Sequence, residues 1–347
     1  MTTPITNSRP VRQHFLTAAA VGLSLAALAV AAPTSAKNGK VDGVRAAVNH
    51  GTLNVTGSDG GQQLALRLKA GDPSRIQVDA GDNGSADLSF ASRDVEAIKV
   101  KLGDGNDLAR IDDSNGSFTG GSRPTTIAGG DGNDTLLGAQ NPPAGPAADQ
   151  VETYKGGDGN DTIDGGRGND TAYLGGGNDT FRWDPGEGSD AIEGQDGADT
   201  MLFNGAGNAA NPVVDTVTMS AKGGRLTFFR QPGAVTMDTD DVEIVDFNAL
   251  AGADTVLVDD LTGTDVTQTD LDLGGTDGAV DSVDVNGTNG VDNINVQGNG
   301  SGADVTGLAT ADSVKQAEPT DHLNVHTLAG ADNVVGNAGG LIQLLVD

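Results

Sequence analysis

Three aspartates in the middle of the chain have the type and spacing to do chemistry. Asp161, Asp170 and Asp179 stand nine residues apart, each the sixth residue of a glycine-rich unit. The units run without a gap as Gly156-Gly157-Asp158-Gly159-Asn160-Asp161-Thr162-Ile163-Asp164, Gly165-Gly166-Arg167-Gly168-Asn169-Asp170-Thr171-Ala172-Tyr173 and Leu174-Gly175-Gly176-Gly177-Asn178-Asp179-Thr180-Phe181-Arg182. A carboxylate set at a fixed place after a tight turn is a hard oxygen donor. The glycines allow positive-φ turns and close backbone approach, so that turn carbonyls become further oxygen donors. Such an array suits a hard cation.

The same ruler reaches beyond these copies. Gly129-Gly130-Asp131-Gly132-Asn133-Asp134-Thr135-Leu136-Leu137 is a fourth unit, and Asp190 and Asp199 hold the sixth place in degraded ones. Asp107, Asp134 and Asp161 are 27 residues apart, three units each. Intervening frames keep an apolar eighth residue at Phe118, Ile127 and Tyr154, so one register spans Leu102 to Arg182. The frame 138–146 is the weakest and is expected to loop out.

These residues closely resemble the Gly-Gly-x-Gly-x-Asp-x-U-x repeats of haemolysin-type (RTX) calcium-binding proteins, where U is a large apolar residue. The resemblance covers 102–202. It implies a parallel β-roll in which six residues make a calcium-binding turn and three make a short strand with its apolar residue inward. Several calcium ions are then expected. Asp107, Asp134, Asp161, Asp170, Asp179, Asp190 and Asp199 are the candidate carboxylate ligands. Gly129, Gly130, Gly132, Gly156, Gly157, Gly159, Gly165, Gly166, Gly168, Gly175 and Gly177 shape the turns. Calcium takes six to eight oxygen ligands, a number that carboxylates and turn carbonyls together supply. Two units make a coil of 18 residues, which sets Asp161 against Asp179, Asp179 against Asp199, and Asp170 against Asp190. The extra Trp183-Asp184 disturbs the last pair. Asp131 and Asp158 are expected to lend carbonyls rather than carboxylates, because Arg167 fills the same place. An EF-hand is excluded by the missing bidentate Glu.

The whole chain is composed to hold such turns. Of 347 residues 53 are Gly and none is Cys, while only six of the 49 acidic residues are Glu. Asp and Gly are poor helix formers and good turn formers, which argues against a helical or α/β enzyme. The expected fold is all-β, a parallel β-roll or β-solenoid flanked by further solenoid-like coils. Residues 37–101 read as an N-terminal β region and 203–240 as an irregular insertion. Residues 241–347 read as more coils with little or no calcium, a β-sandwich being the alternative there. Asp94–Asp113 aligns without gaps to Asp241–Asp260, and Gly252-Ala253-Asp254 recurs as Gly290-Val291-Asp292 and Gly330-Ala331-Asp332.

A formal charge of −29 repels phosphate backbones and anionic lipid, so nucleic acid and membrane surfaces are poor partners. Calcium is the expected partner, with a cell-surface polysaccharide or protein as a further candidate. Arg9 and Arg12, the apolar stretch Phe15–Ala32 and the exit Pro33-Thr34-Ser35-Ala36 form a secretory signal pattern, 1–36, leaving no membrane span after cleavage. No His-Glu-x-x-His zinc signature and no Gly-x-Ser-x-Gly elbow is present. His322 and His326 sit in a strand-like alternation and are assigned a surface or capping role. Trp183 with Tyr173, Phe181 and Arg182 reads either as a sugar-stacking platform or as Phe181 filling the roll while Trp183 caps its end. The chain is therefore expected to be a secreted, non-enzymatic calcium-binding protein with a structural or surface role. An adhesin or surface-layer component and a carbohydrate-modifying β-helix enzyme are the alternatives.

Overall fold

Alternation with a period of two turns these short segments into strands with one apolar face. In Thr200–Asn204, for example, Met201 and Phe203 are buried while their neighbours are partly exposed. A one-faced strand needs a second sheet opposite, and repetition of the segment builds both sheets at once. The structure, a computed structural model, describes residues 38–119, 123–140 and 151–347. Its described part is all-β, a 15-stranded sheet facing a 14-stranded one, with a two-stranded ribbon at Gly207–Asn208 and Asn211–Pro212 and one 3₁₀ turn at Ser92–Asp94. No described helix is long and apolar enough to cross a membrane. The signal segment 1–36 lies outside the described residues, as do 120–122 and most of the frame expected to loop out.

Through the centre each coil gives one strand to each sheet, all parallel. The first sheet takes Ala97–Asp104, Thr125–Asp131, Glu152–Asp158, Thr171–Gly177 and Ala191–Gly197. The second takes Leu108–Asp112, Thr135–Ala139, Thr162–Gly166, Thr180–Trp183 and Thr200–Asn204. The expected β-roll is present. Ala109, Leu136, Ile163, Phe181 and Met201 stack in register inside it, facing Val100, Ile127, Tyr154, Ala172 and Ile192.

Both ends of this stack follow the same logic with added meanders. At the N-terminal side, Asn38–Val41, Val44–Asn49 and Thr52–Thr56 run antiparallel on the first sheet. Gln63–Lys69, Asp72–Ala80 and Leu88–Ala91 do the same on the second. Beyond the roll, residues 241–347 continue as paired parallel strands and not as a sandwich.

The stretch 203–240 is not irregular. Thr216–Lys222, Arg225–Gln231 and Val235–Asp240 form an antiparallel meander inside the first sheet, between Ala191–Gly197 and Thr255–Val258. Its alternation buries Val217, Met219, Leu226, Phe228, Val235 and Met237, a period-two signal hidden by the absence of Gly-Asp turns. A second meander, Asn293–Gly298, Ala303–Thr306 and Ala311–Lys315, lies in the second sheet. Each adds two strands to one sheet only. Because they fall in opposite sheets, the second brings the two sheets back into step.

Trp183 is fully buried and stacks on Phe203, with ring centroids 4.0 Å apart and planes at 6°. Phe228 of the meander closes on Phe203 at 4.5 Å. This removes the sugar-platform reading: Trp183 is interior packing, and Tyr173 lies exposed on the outer face. Nor does Trp183 cap an end, since further coils follow it. His326 bridges two carboxylates, its Nδ1 lying 2.6 Å from Asp347 Oδ1 and its Nε2 3.0 Å from Asp284 Oδ1.

Candidate metal centre

The turns that link the two sheets form two edges, and the aspartates line both. On the edge leading into the second sheet, each Asp backbone N–H donates to the carboxylate of the next coil. Asp107 donates to Asp134 Oδ1 at 2.8 Å, Asp134 to Asp161 at 2.7 Å, Asp161 to Asp179 at 2.6 Å and Asp179 to Asp199 at 2.8 Å. Gln62 begins this ladder and Glu243 ends it. On the opposite edge Glu152 donates to Asp170 Oδ1 at 2.6 Å, and Asp170 to Asp190 at 2.7 Å.

These bonds show which aspartates meet. Asp161 faces Asp179, Asp179 faces Asp199, and Asp170 reaches Asp190 despite the two inserted residues. The rungs step by 27, 27, 18 and 20 residues along the first ladder. Only the Asp161–Asp179 coil has 18 residues there. The two before it carry one more nonapeptide, which keeps Asp107 and Asp134 on the same edge as Asp161.

In all seven aspartates Oδ1 is used in the ladder, while Oδ2 is buried with no hydrogen-bond partner. The glycines explain where that oxygen points. A Cβ at Gly156 would stand 2.2 Å from Asp161 Oδ2, and one at Gly129 1.9 Å from Asp134 Oδ2. At Gly165 the distance to Asp170 Oδ2 is 2.8 Å. In these three units the first glycine thus leaves a hollow that a side chain would fill, while in the unit of Asp179 the buried Leu174 takes that position. The second and fourth positions, Gly130, Gly157, Gly166 and Gly175 with Gly132, Gly159, Gly168 and Gly177, all have positive φ. Gly157, at φ 131°, would also place a Cβ 1.9 Å from Gly130 O.

Gly157→Ala is therefore expected to be far more damaging than Gly60→Ala. Gly60 also has positive φ, 110°, but nothing lies within 4 Å of its Cβ position. The backbone conformation alone costs about 1–2 kcal/mol at either site. Gly157 adds an overlap with backbone that has nowhere to move. Thermal unfolding in saturating calcium would show this as a several-fold larger fall in Tm for Gly157→Ala.

Two participants escaped the reading of the sequence. Glu152 occupies the sixth place of its frame and is fully buried, a rung of the second ladder without a Gly-Asp turn to announce it. The fifth-position asparagines form an outer ladder of their own: Asn133 N–H to Asn106 Oδ1, Asn160 to Asn133, and Asn178 to Asn160, each at 2.9 Å. Their signal was the constant Asn before Asp in the clear copies.

Stacking bare carboxylates in a desolvated edge is costly for the charged form. Burial pushes Asp161, Asp190 and Asp199 up to about 7, and Asp134 to about 6. Asp107 and Asp179 rise for the same reason. Asp170 and Glu152 are raised by burial, and Asp170 further by the charges of Glu152 and Asp190. Elsewhere the chain meets such a cost with its own cations, as where Arg182 pairs with the buried Asp164. Asp164 also lies close to Asp184 and Glu187, and a second acidic group joins Asp240, Asp241 and Asp265 at the surface. The ladder aspartates make no such pair among the described residues. Unpartnered buried carboxylate oxygens, glycine hollows and an all-oxygen donor set fit a hard cation of calcium's kind.

The family model of the RTX calcium-binding nonapeptide repeat matches residues 119–140, 148–181 and 186–208, in four copies. The centre of the chain thus carries RTX calcium-binding repeats. Asp107 and both flanks lie outside the matched residues. No curated protein and no solved structure matches the chain.

Proposed function

We propose that this is a secreted calcium-binding β-roll protein whose folding is coupled to extracellular calcium, with a structural or surface role. The observation that carries the proposal is the double ladder of seven aspartates, each with a buried Oδ2 and no partner. Secretion rests on the signal pattern of residues 1–36. No catalytic role is assigned to any residue.

The chain's part in the coupling follows from the ladders. Each rung brings carboxylates from adjacent coils together through a backbone hydrogen bond, so the coils can stack closely only when the charge between them is offset. Bound calcium would supply that positive charge, and its binding free energy becomes folding free energy. Extracellular calcium modules have dissociation constants of about 10⁻⁴–10⁻³ M. At ~1 mM calcium one such site contributes roughly 0.4–1.4 kcal/mol by mass action. Several stacked sites together reach the scale of a whole domain's stability, about 5–15 kcal/mol.

Far-UV circular dichroism of the chain without residues 1–36, titrated with calcium, tests this. Ser35–Asp347 forms one compact unit, and the truncation takes only its first two residues. A rise in β signal over the sub-millimolar to millimolar range is expected. A full β spectrum in chelator, unchanged by calcium, would rule the coupling out.

A further inference from the structure

The aspartate ladder does not stop where the matched repeats do. Past the first meander, Asp215 N–H donates to Asp254 Oδ1 at 2.6 Å, Asp254 to Asp281 at 2.7 Å and Asp281 to Asp321 at 3.0 Å. Two of the four aspartates in this second run, Asp215 and Asp321, have both oxygens served by the protein itself. Asp215 Oδ1 accepts from Arg230 Nε at 2.9 Å and Nη2 at 2.5 Å, while its Oδ2 accepts from Ala206 N–H. The meander that carries Arg230 thus brings a built-in cation to the ladder. Asp321 Oδ2 accepts from Glu318 N–H at 2.6 Å.

Asp254 differs from these two. It is 1% exposed, and its Oδ2 is buried with no partner, the same condition as in the seven central aspartates. Its turn also keeps their backbone. Leu250 has φ 72° and Gly252 φ 155°, against 76° and 150° at Gln195 and Gly197 of the matched turn that ends at Asp199. A Cβ at Gly252 would stand 2.1 Å from Val213 O, as one at Gly197 would stand 1.5 Å from Gly177 O. Leucine is ill suited to positive φ, so the turn holds a strained backbone, as the turn at Leu328 and Gly330 does too. Asp277 Oδ2 approaches the same turn, accepting from Gly252 N–H at 2.9 Å, and Asp281 is buried one coil further on.

We propose that the turn Leu250–Asp254 is a calcium site separate from the matched repeats, with Asp254 Oδ2 as its central ligand and Asp277 and Asp281 as its acidic wall. All-oxygen surroundings of this kind suit calcium better than magnesium, which demands near-octahedral ligands. The site would clasp the strands Thr255–Val258 and Ser282–Asn286 together. It stands on its own geometry and does not depend on the central repeats binding calcium.

The test compares wild type with Asp254→Asn and Asp321→Asn, each as the whole chain without residues 1–36. Asparagine keeps the Oδ1 acceptor of the ladder and removes the charge. Equilibrium calcium binding is expected to give one ion fewer for Asp254→Asn and no loss for Asp321→Asn. Hydrogen exchange gives a second readout. At ~1 mM calcium, exchange of the Thr255 and Ser282 amides should slow roughly two- to elevenfold in wild type, given a dissociation constant of about 10⁻⁴–10⁻³ M. In Asp254→Asn that slowing should vanish, while the Asp161 and Asp179 amides still respond, which shows that the variant folds. Unchanged stoichiometry, or flank amides that respond to calcium as in wild type, would overturn the proposal. A wild-type flank that ignores calcium while the central amides respond would also overturn it, and would leave the central reading standing.

Discussion

A chain carrying Asp161→Ala, Asp170→Ala and Asp179→Ala is expected to lose most of its calcium-induced β signal. The reason is that each substitution removes two things at once. Three Oδ2 atoms leave the candidate sites on both edges. Three Oδ1 acceptors also vanish, from the backbone N–H groups of Asp134, Glu152 and Asp161. A buried donor left without its acceptor costs about 1–3 kcal/mol. Three of them, added to the lost binding energy, rival the stability of the whole domain, about 5–15 kcal/mol. The companion variant with asparagine at all three positions separates the two effects. It keeps the acceptors and removes only the charge. In chelator it should be more folded than wild type, because the repulsion is gone, yet it should respond weakly to calcium. Circular dichroism over a calcium titration reads both variants. If the alanine variant titrates like wild type, the sites lie elsewhere.

The seven aspartates were legible in the sequence because a constant period fixes both which residue turns and which face it serves. What the period could not show was anything that broke it. Glu152 begins the second ladder through its backbone N–H, but it sits in a frame stripped of turn glycines. The meander at 216–240 was missed for a related reason. Its strands alternate cleanly, Val217 and Met219, Leu226 and Phe228, but without Gly-Asp turns they set no register, and its place in the sheet depends on strands far away in the chain. Trp183 read as a platform or an end cap because it follows the repeat by one residue. Phe203 and Phe228, which bury it, arrive from other coils. The flank aspartates show the limit most clearly. Gly252-Ala253-Asp254 was visible as a repeat, but only the fold brings Arg230 to Asp215 and leaves Asp254 without a counter-charge.

Acidification is expected to act with opposite sign in the absence and presence of calcium. Burial raises Asp161, Asp190 and Asp199 to about 7 and Asp134 to about 6 in the folded chain. In the unfolded chain an aspartate titrates near ~3.9. Between those values the folded state binds more protons than the unfolded one, so its stability falls as pH rises. Without calcium, then, the fold should be firmer at pH 5 than at pH 7.5, with the change complete near neutrality for these four residues. Calcium takes the ionised carboxylate, and protons compete with it. In calcium the trend should reverse, with the apparent affinity weakening roughly tenfold or more between pH 7.5 and 5.5. Keeping the measurement above pH 5 leaves carboxylates of ordinary pKa ionised throughout, so the signal comes from the buried ladders together with the other buried carboxylates, Asp254, Asp281, Asp312 and Glu187, that burial raises. Thermal unfolding at several pH values, once in calcium-depleted buffer and once in millimolar calcium, checks this. Curves that move in the same direction in both buffers would mean that the buried carboxylates are not the groups on which calcium acts.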